Sequence, residues 1–271
     1  KLALDHGVKF IEQEKLKNSQ EAQVLDSRPP TIPSGQMFQH FIGWEILAPK
    51  DSFEPKTAIL MDFRCDQSRG IHFIYLLPFS DCEALVESTM FSLQREPDAY
   101  FESAMNDYLS QHCNIYEFTT NRVEKGSIPL GRIPNQTEIK NGTGSNGGAI
   151  KPSSGYAFAF IQKQISIAIN TARKKKHSTN KAEPLTIKCP HKSIDLWMDE
   201  VFITVLKRWP KAAPTIFLNM SQVLNGDEFA LFLSGEANWS LRLKIILAMP
   251  KWIFLKAFLF CNPVNSRISK F

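Results

Sequence analysis

The stretch FIYLLPFSDCEALVESTMFS, residues 73–92, reads as two strands joined by a turn. Runs rich in Ile, Leu, Val and Phe flank the breaker PFSD, the pattern of antiparallel neighbours. In ALVESTMF the two-residue period of a strand puts Leu85, Glu87, Thr89 and Phe91 on one face and Val86, Ser88 and Met90 on the other. One carboxylate thus shares a face with apolar groups. Working outward, further strands are predicted near residues 37–47, 57–62 and 70–78, with the second arm of the turn at 83–91. An amphipathic helix follows over 98–111, where Tyr100, Phe101, Ala104, Met105, Tyr108 and Leu109 recur three and four apart behind Pro97.

Farther along, NGTGSNGGAIKPSSG opens an apolar, breaker-free stretch at 156–171, so a glycine-rich loop leads into a long helix. Residues 172–192 are polar and basic, an expected exposed connection. Beyond 193, short helices are expected between stops at Pro210, Pro214, Gly226, Gly235 and Pro250. The chain has 271 residues, 43% apolar and 22% charged, enough to bury a core. Its five cysteines are odd in number and widely spaced, with no CxxC or CxxH pair, which argues for a reducing compartment and against a metal site. The net charge of +5 is modest, and its densest run, Arg173 to His177, stands among polar residues rather than aromatic ones, which argues against nucleic acid.

Several segments in order resemble the lycopene beta-cyclase family of carotenoid-forming flavoproteins: VLDSR (24–28), FQHFIGWEI (38–46), AILMDFR (58–64), residues 73–92, IPL (128–130) and GGAIKPSSGYAF (147–158). The helical remainder, with FLSGEANWSLRLKIILAMP, is also similar to that family's C-terminal region. The resemblance implies an α/β (α+β) fold of the flavin-monooxygenase-like kind, a dinucleotide-binding domain interleaved with an antiparallel substrate-binding sheet and followed by a helical region. It divides the chain into a remnant of the FAD-binding domain (1–28), a substrate-binding sheet region (29–125), a return to the FAD-binding domain (126–172), a polar linker (173–192) and a C-terminal helical region (193–271). No strand–glycine–helix unit of the dinucleotide-binding GxGxxG kind is recognised, and the first residue is a lysine with no signal or transit pattern. The expectation is that the dinucleotide-binding start lies upstream and that the fragment is inactive alone.

The activity implied by the resemblance is redox-neutral cyclisation of the ends of lycopene to beta-ionone rings, with FAD held reduced by NAD(P)H. A terminal double bond is protonated, a ring closes through a carbocation, and a proton leaves. The acid must be neutral before it acts, and an apolar setting favours that form. Glu87 fits, whereas an isolated strand glutamate would otherwise read as a surface residue. Many relatives carry a second acid where Ser88 stands, so only Glu87 carries over. Asp62, after the apolar run 58–61, is the second catalytic candidate, its alternative being a strand-end turn cap. Phe38, Phe41, Trp44, Phe73, Tyr75 and Phe79 supply rings at strand positions that could face a cation or simply build a core. The flavin-binding candidates are Gly144, Gly147, Gly148, Pro152, Ser153, Gly155 and Tyr156 at the loop and helix start, with Asp26 and Arg28 of VLDSR. The last two read equally as a turn.

A redox flavoprotein of the same fold (an isoprenoid reductase or a monooxygenase) and a noncatalytic carotenoid or lipid binder are the competing readings. The segment LRLKIILAMPKWIFLKAFLF is interrupted by Lys244, Pro250, Lys251 and Lys256, too broken for a spanning helix. It reads either as a cationic, aromatic helix pair lying in the membrane surface on the cytoplasmic side or as helices closing a soluble core.

Overall fold

Alternation of residue type builds the sheet. In the computed structural model, which describes residues 5, 7, 8, 23–132, 142–179 and 184–261, the strands are β1 (Met37–Leu47), β2 (Ile59–Asp62), β3 (Ile71–Pro78), β4 (Glu83–Ser92) and β5 (Thr119–Leu130). They form one sheet in the order β2-β3-β4-β1-β5, and every pairing is antiparallel. The four predicted strands lie within a residue or two of these bounds.

β5 was not anticipated as a strand, and it carries the sheet past residue 125, where the sequence reading ended the sheet region. Its sequence, TTNRVEKGSIPL, is mostly exposed and holds Gly126 and Pro129. A polar edge strand buries too little apolar surface to print the two-residue period, and an edge tolerates proline.

Even-numbered residues of β1, β3 and β4 point to helix α1 (Asp98–His112). Ile42, Trp44, Ile46, Ile74, Leu76, Val86 and Met90 are buried there against Phe101, Met105, Tyr108 and Leu109. Odd-numbered residues form the opposite face. One end of that face, Met37, Ile71, Phe73, Phe91 and Leu130, is covered by Ile203, Leu206 and Ala213 of the helical region. The other end, at Leu77 and Leu85, is open.

Helix α2 (Phe158–Thr179) starts just after the glycine loop and runs beyond the predicted end at 171. Lysine and arginine are good helix formers and suit a helix C-terminus, so the basic run continues the helix instead of ending it. The chain then forms α3 (Ser193–Arg208), a 3-10 turn (Pro210–Ala212), α4 (Ala213–Val223), α5 (Gly226–Leu233), α6 (Trp239–Ala248) and α7 (Lys251–Phe260). Three of the expected stops mark starts. Pro214 lies in the first turn of α4, Gly226 opens α5 behind the capping box of Asn225 and Glu228, and Pro250 precedes α7. Proline without its N–H costs nothing at a first turn. Among the described residues no helix is long and apolar enough to cross a membrane.

Candidate functional site

Glu87 stands in the middle of the odd face, where the covered end gives way to the open one. Its cross-strand neighbours are Gly43 on β1 and Tyr75 on β3. Along β4, Thr89 donates its hydroxyl to Glu87 Oε1 at 2.5 Å. Burial pushes the Glu87 carboxyl above the usual glutamate range, partly offset by the Thr89 hydrogen bond and reinforced by the negative Glu124. A carboxyl biased by burial toward its neutral form, beside aromatic rings, is suited to giving a proton to an apolar ligand.

Glu124 went unnoticed in the sequence. It pairs with Gly43 across β5, on the same face, and its Cγ lies 3.2 Å from where a Cβ on Gly43 would be. The absent side chain lets Glu124 lean over β1 toward Glu87. Two carboxylates thus flank Gly43, a juxtaposition that exists only once β5 has docked. Of the six predicted rings, Phe41, Phe73 and Tyr75 share the face of Glu87, whereas Trp44 packs beneath α1 and Phe79 is exposed.

The glycine loop meets this face from one side. Tyr75 and Tyr156 are close enough to raise the Tyr75 phenol further, after burial and together with Glu87. A Cβ on Gly155, which has φ +73°, would sit 3.0 Å from Ile128 Cγ2 and 3.4 Å from Gln39 Oε1, both odd-face residues. Gly144 and Gly148 also have positive φ. At Gly147 a Cβ would come within 2.6 Å of Gly142 O, so its requirement is set by the loop itself. Gln164 of α2 ties the loop down, accepting from the N–H of Gly144 at 2.9 Å and donating to Gly147 O at 2.8 Å.

Pro152 accepts from the N–H of Gly131 at the end of β5. Lys151 Nζ and Ser153 Oγ both donate to Asp199 Oδ1 of α3, at 2.7 and 2.6 Å, and the Lys151 and Asp199 side chains are each 5% exposed. Asp26 joins the loop through a parallel bridge to Gly142, and its carbonyl accepts from Thr143 N. Its carboxylate is held at about 2 by Arg28, two residues on, and Arg28 is exposed. The loop candidates and Asp26 are therefore brought together, with Tyr156 and Gly155 at the acid's face.

Asp62 does not join them. It lies across from Ile74 on the α1 side, where Tyr108 donates to its Oδ2 at 2.7 Å and Arg64 donates at 2.6 Å. Burial alone would raise its pKa, but the Arg64 and Tyr108 bonds outweigh it and hold the carboxyl at about 2. An ionised, fully engaged carboxylate behind the sheet has no proton to give to the other face. Ser88 is also on the α1 side, 2.8 Å from His72 Nε2. A second acid at that position would point away from Glu87, so the serine removes nothing from the acid's face.

These features define a mixed α/β protein whose antiparallel sheet presents a half-buried carboxyl with a raised pKa beside a clamped glycine loop and the start of a long helix. The chain belongs to the lycopene cyclase protein family, which it matches over residues 8–257. It is 25% identical to a lycopene beta-cyclase of Pantoea ananas, covering 79% of this chain and 56% of that protein. A lycopene beta-cyclase of a Paracoccus species is 35% identical over 40% of this chain and 28% of its own length. The chain thus spans about half or less of these relatives. A geranylgeranyl bacteriochlorophyll reductase-like protein from Thermoplasma acidophilum shares 12% identity at a TM-score of 0.46, over 83% of this chain and 55% of that one.

Proposed function

We propose that this chain carries the acid and the substrate-facing sheet of a lycopene beta-cyclase, forming beta-ionone rings (gamma-carotene or beta-carotene) without net oxidation. The observation that carries this reading is Glu87, a carboxyl whose proton burial holds more tightly than usual, on an aromatic sheet face that adjoins the glycine loop.

The reaction is that of an isomerase, or intramolecular lyase. Glu87 delivers its proton to the terminal double bond, the neighbouring double bond closes the ring, and a ring proton leaves to a carboxylate. Positioned proton transfer of this kind contributes roughly 10²–10⁴-fold. The rings of Phe73 and Tyr75 present π faces to positive charge, and the covered end of the sheet keeps water from capturing it. Asp26, the loop 142–156 and the N-terminus of α2 suit one edge of a flavin, because the helix start offers unpaired N–H groups and a positive dipole end. Reduced FAD, with NAD(P)H as reductant, would supply an electron-rich ring there.

The substrate dissolves in a bilayer, so the protein must work at a membrane surface, and we place it there as a peripheral protein on the cytoplasmic side. Helices α6 and α7 support this. Leu243, Leu247, Trp252, Leu255, Leu259 and Phe260 are exposed on them, between 51 and 77%. So large an apolar surface is uncommon on a protein that meets only water. The decisive experiment expresses the complete gene in lycopene-accumulating cells and separates pigments by chromatography. Cyclic carotenoid is expected from the wild type and none from Glu87→Gln; rings formed by Glu87→Gln would remove Glu87 as the acid.

A further inference from the structure

Away from the acid, α3, α4, α5, α6 and α7 enclose a groove of about 450 Å³, a volume typical of small-molecule sites. Its walls are almost wholly apolar, among them Met198, Phe202, Phe217, Leu233 and Phe254. Its buried end is closed by Lys151, Ser153 and Asp199, and exposed Trp197, Leu255 and Phe258 form its rim.

Two physical connections tie this groove to the acid's face. The first is the loop: Lys151, Ser153 and Ser154 line the groove, while Gly155 and Tyr156 of the same turn meet the sheet beside Tyr75. The second is a run of rings. Phe254 contacts Phe202 at 6.2 Å between centroids, Phe202 contacts Phe217 at 5.5 Å, and Phe217 contacts Phe91 at 6.4 Å. Phe91 contacts Phe73 at 5.2 Å, and Phe73 contacts Tyr75 at 5.2 Å, directly across from Glu87. The rim opens onto the exposed apolar surface of α7.

We infer that the groove binds one linear polyene hydrocarbon chain, holding the part of the substrate remote from the end that reaches Glu87. This rests on the cyclase reading for the identity of the chain. The groove favours a slender, largely apolar occupant, because its charged lining groups are few: Lys151 and Asp199, paired with each other, Asp195, paired with Arg242, and the exposed Lys251. A chain entering at the Trp197 and Phe258 rim passes from the exposed apolar surface of α7 onto the apolar walls of the groove, so its entry exposes little of it to water.

The test uses the complete, flavin-loaded gene product and diphenylhexatriene, an uncharged polyene, in vesicle-free buffer. Saturable one-to-one binding is expected, displaced by lycopene. Leu233→Trp and Met198→Trp, which fill the groove from different helices, should weaken it roughly tenfold, about 1.4 kcal/mol, and raise KM for lycopene by a similar factor. Glu87→Gln should bind the probe as the wild type does while forming no rings. Photo-crosslinking of an alkyl diazirine to the unsubstituted protein gives a second measurement independent of folding of the variants, with adducts expected on Met198, Leu233 or Phe254. Adducts confined to the outer surface of α6 and α7, or filled variants that bind within twofold of wild type, overturn the inference. Probe binding in the groove by a protein that leaves lycopene acyclic would uphold the groove and sink the cyclase reading instead.

Discussion

Lys151→Met tests whether the loop beside the acid is held by charge. Lys151 Nζ lies 2.7 Å from Asp199 Oδ1 with both side chains 5% exposed, and Ser153 shares the same oxygen. Removing the lysine leaves the Asp199 carboxyl buried with only a serine hydroxyl, and breaking a buried pair from one side costs about 3–5 kcal/mol. At roughly 2–4 °C per kcal/mol for a chain of this size, the melting temperature should fall by about 6–20 °C. Asp199→Leu should cost a similar amount, since it strands the ammonium near the Phe232 ring, at 5.6 Å, without a carboxylate. The double variant should recover. Asp199 Oδ2 is buried without a hydrogen-bond partner, so the pair is incompletely compensated, and exchanging both residues for apolar ones removes that burden. We expect it within about 1 kcal/mol of wild type once the lost Ser153 bond is counted. Urea unfolding of the four proteins gives the coupling energy. Additive losses, with the double variant worse than either single one, would refute the reasoning.

The remaining predictions concern the acid, its surroundings and the membrane. Because Glu87 must carry its proton, ring formation should persist below its raised pKa and fall as pH climbs through it. The same shift means that the folded state holds this proton more tightly than the unfolded chain, a stabilisation present at low pH and lost on ionisation, so Glu87→Gln should raise the melting temperature at neutral pH and not at pH 4 or so. Glu124→Gln removes the like charge and should move the descending limb of the pH profile to lower pH; an unmoved limb would show that Glu124 does not influence the acid. Asp62→Asn should still form rings, and Tyr108→Phe should cost roughly 1.5–3 kcal/mol of stability, the value of a hydrogen bond to a charged group, with ring formation retained. Loss of cyclisation in Asp62→Asn without loss of fold would return that residue to the site. Lys251→Glu with Lys256→Glu should release the protein from anionic liposomes in a sedimentation assay, whereas Lys244→Glu should matter less, since Lys244 is already 2.6 Å from Glu228.

What the sequence exposed and what it hid follow from whether a residue's partners are local. The period of two in ALVESTMF assigns Glu87 and Ser88 to opposite faces without any tertiary information, and the structure places them so. The glycine loop was legible because positive φ at Gly144, Gly148 and Gly155 leaves a mark on residue type. Asp62 was misleading for the same reason of locality. The run Ala58–Met61 announces a buried strand end, but not the face on which the carboxylate emerges, and that is decided by Tyr108, 46 residues later. Glu124 had no local mark, and the mark on Asp199 was faint. Glu124 reaches Glu87 only through the gap at Gly43, on a strand too polar to be recognised, and Asp199 meets Lys151 across 48 residues. One clue did exist for the latter: Asp195 and Asp199 stand four apart on α3, one helical turn from each other, and each meets a cation whose side chain is 5% exposed, Arg242 and Lys151. Carboxylates spaced by one helical turn on a buried face demand partners from elsewhere in the chain, and in this fold Arg242 ties α3 to α6 while Lys151 fastens the helical region to the loop beside the acid.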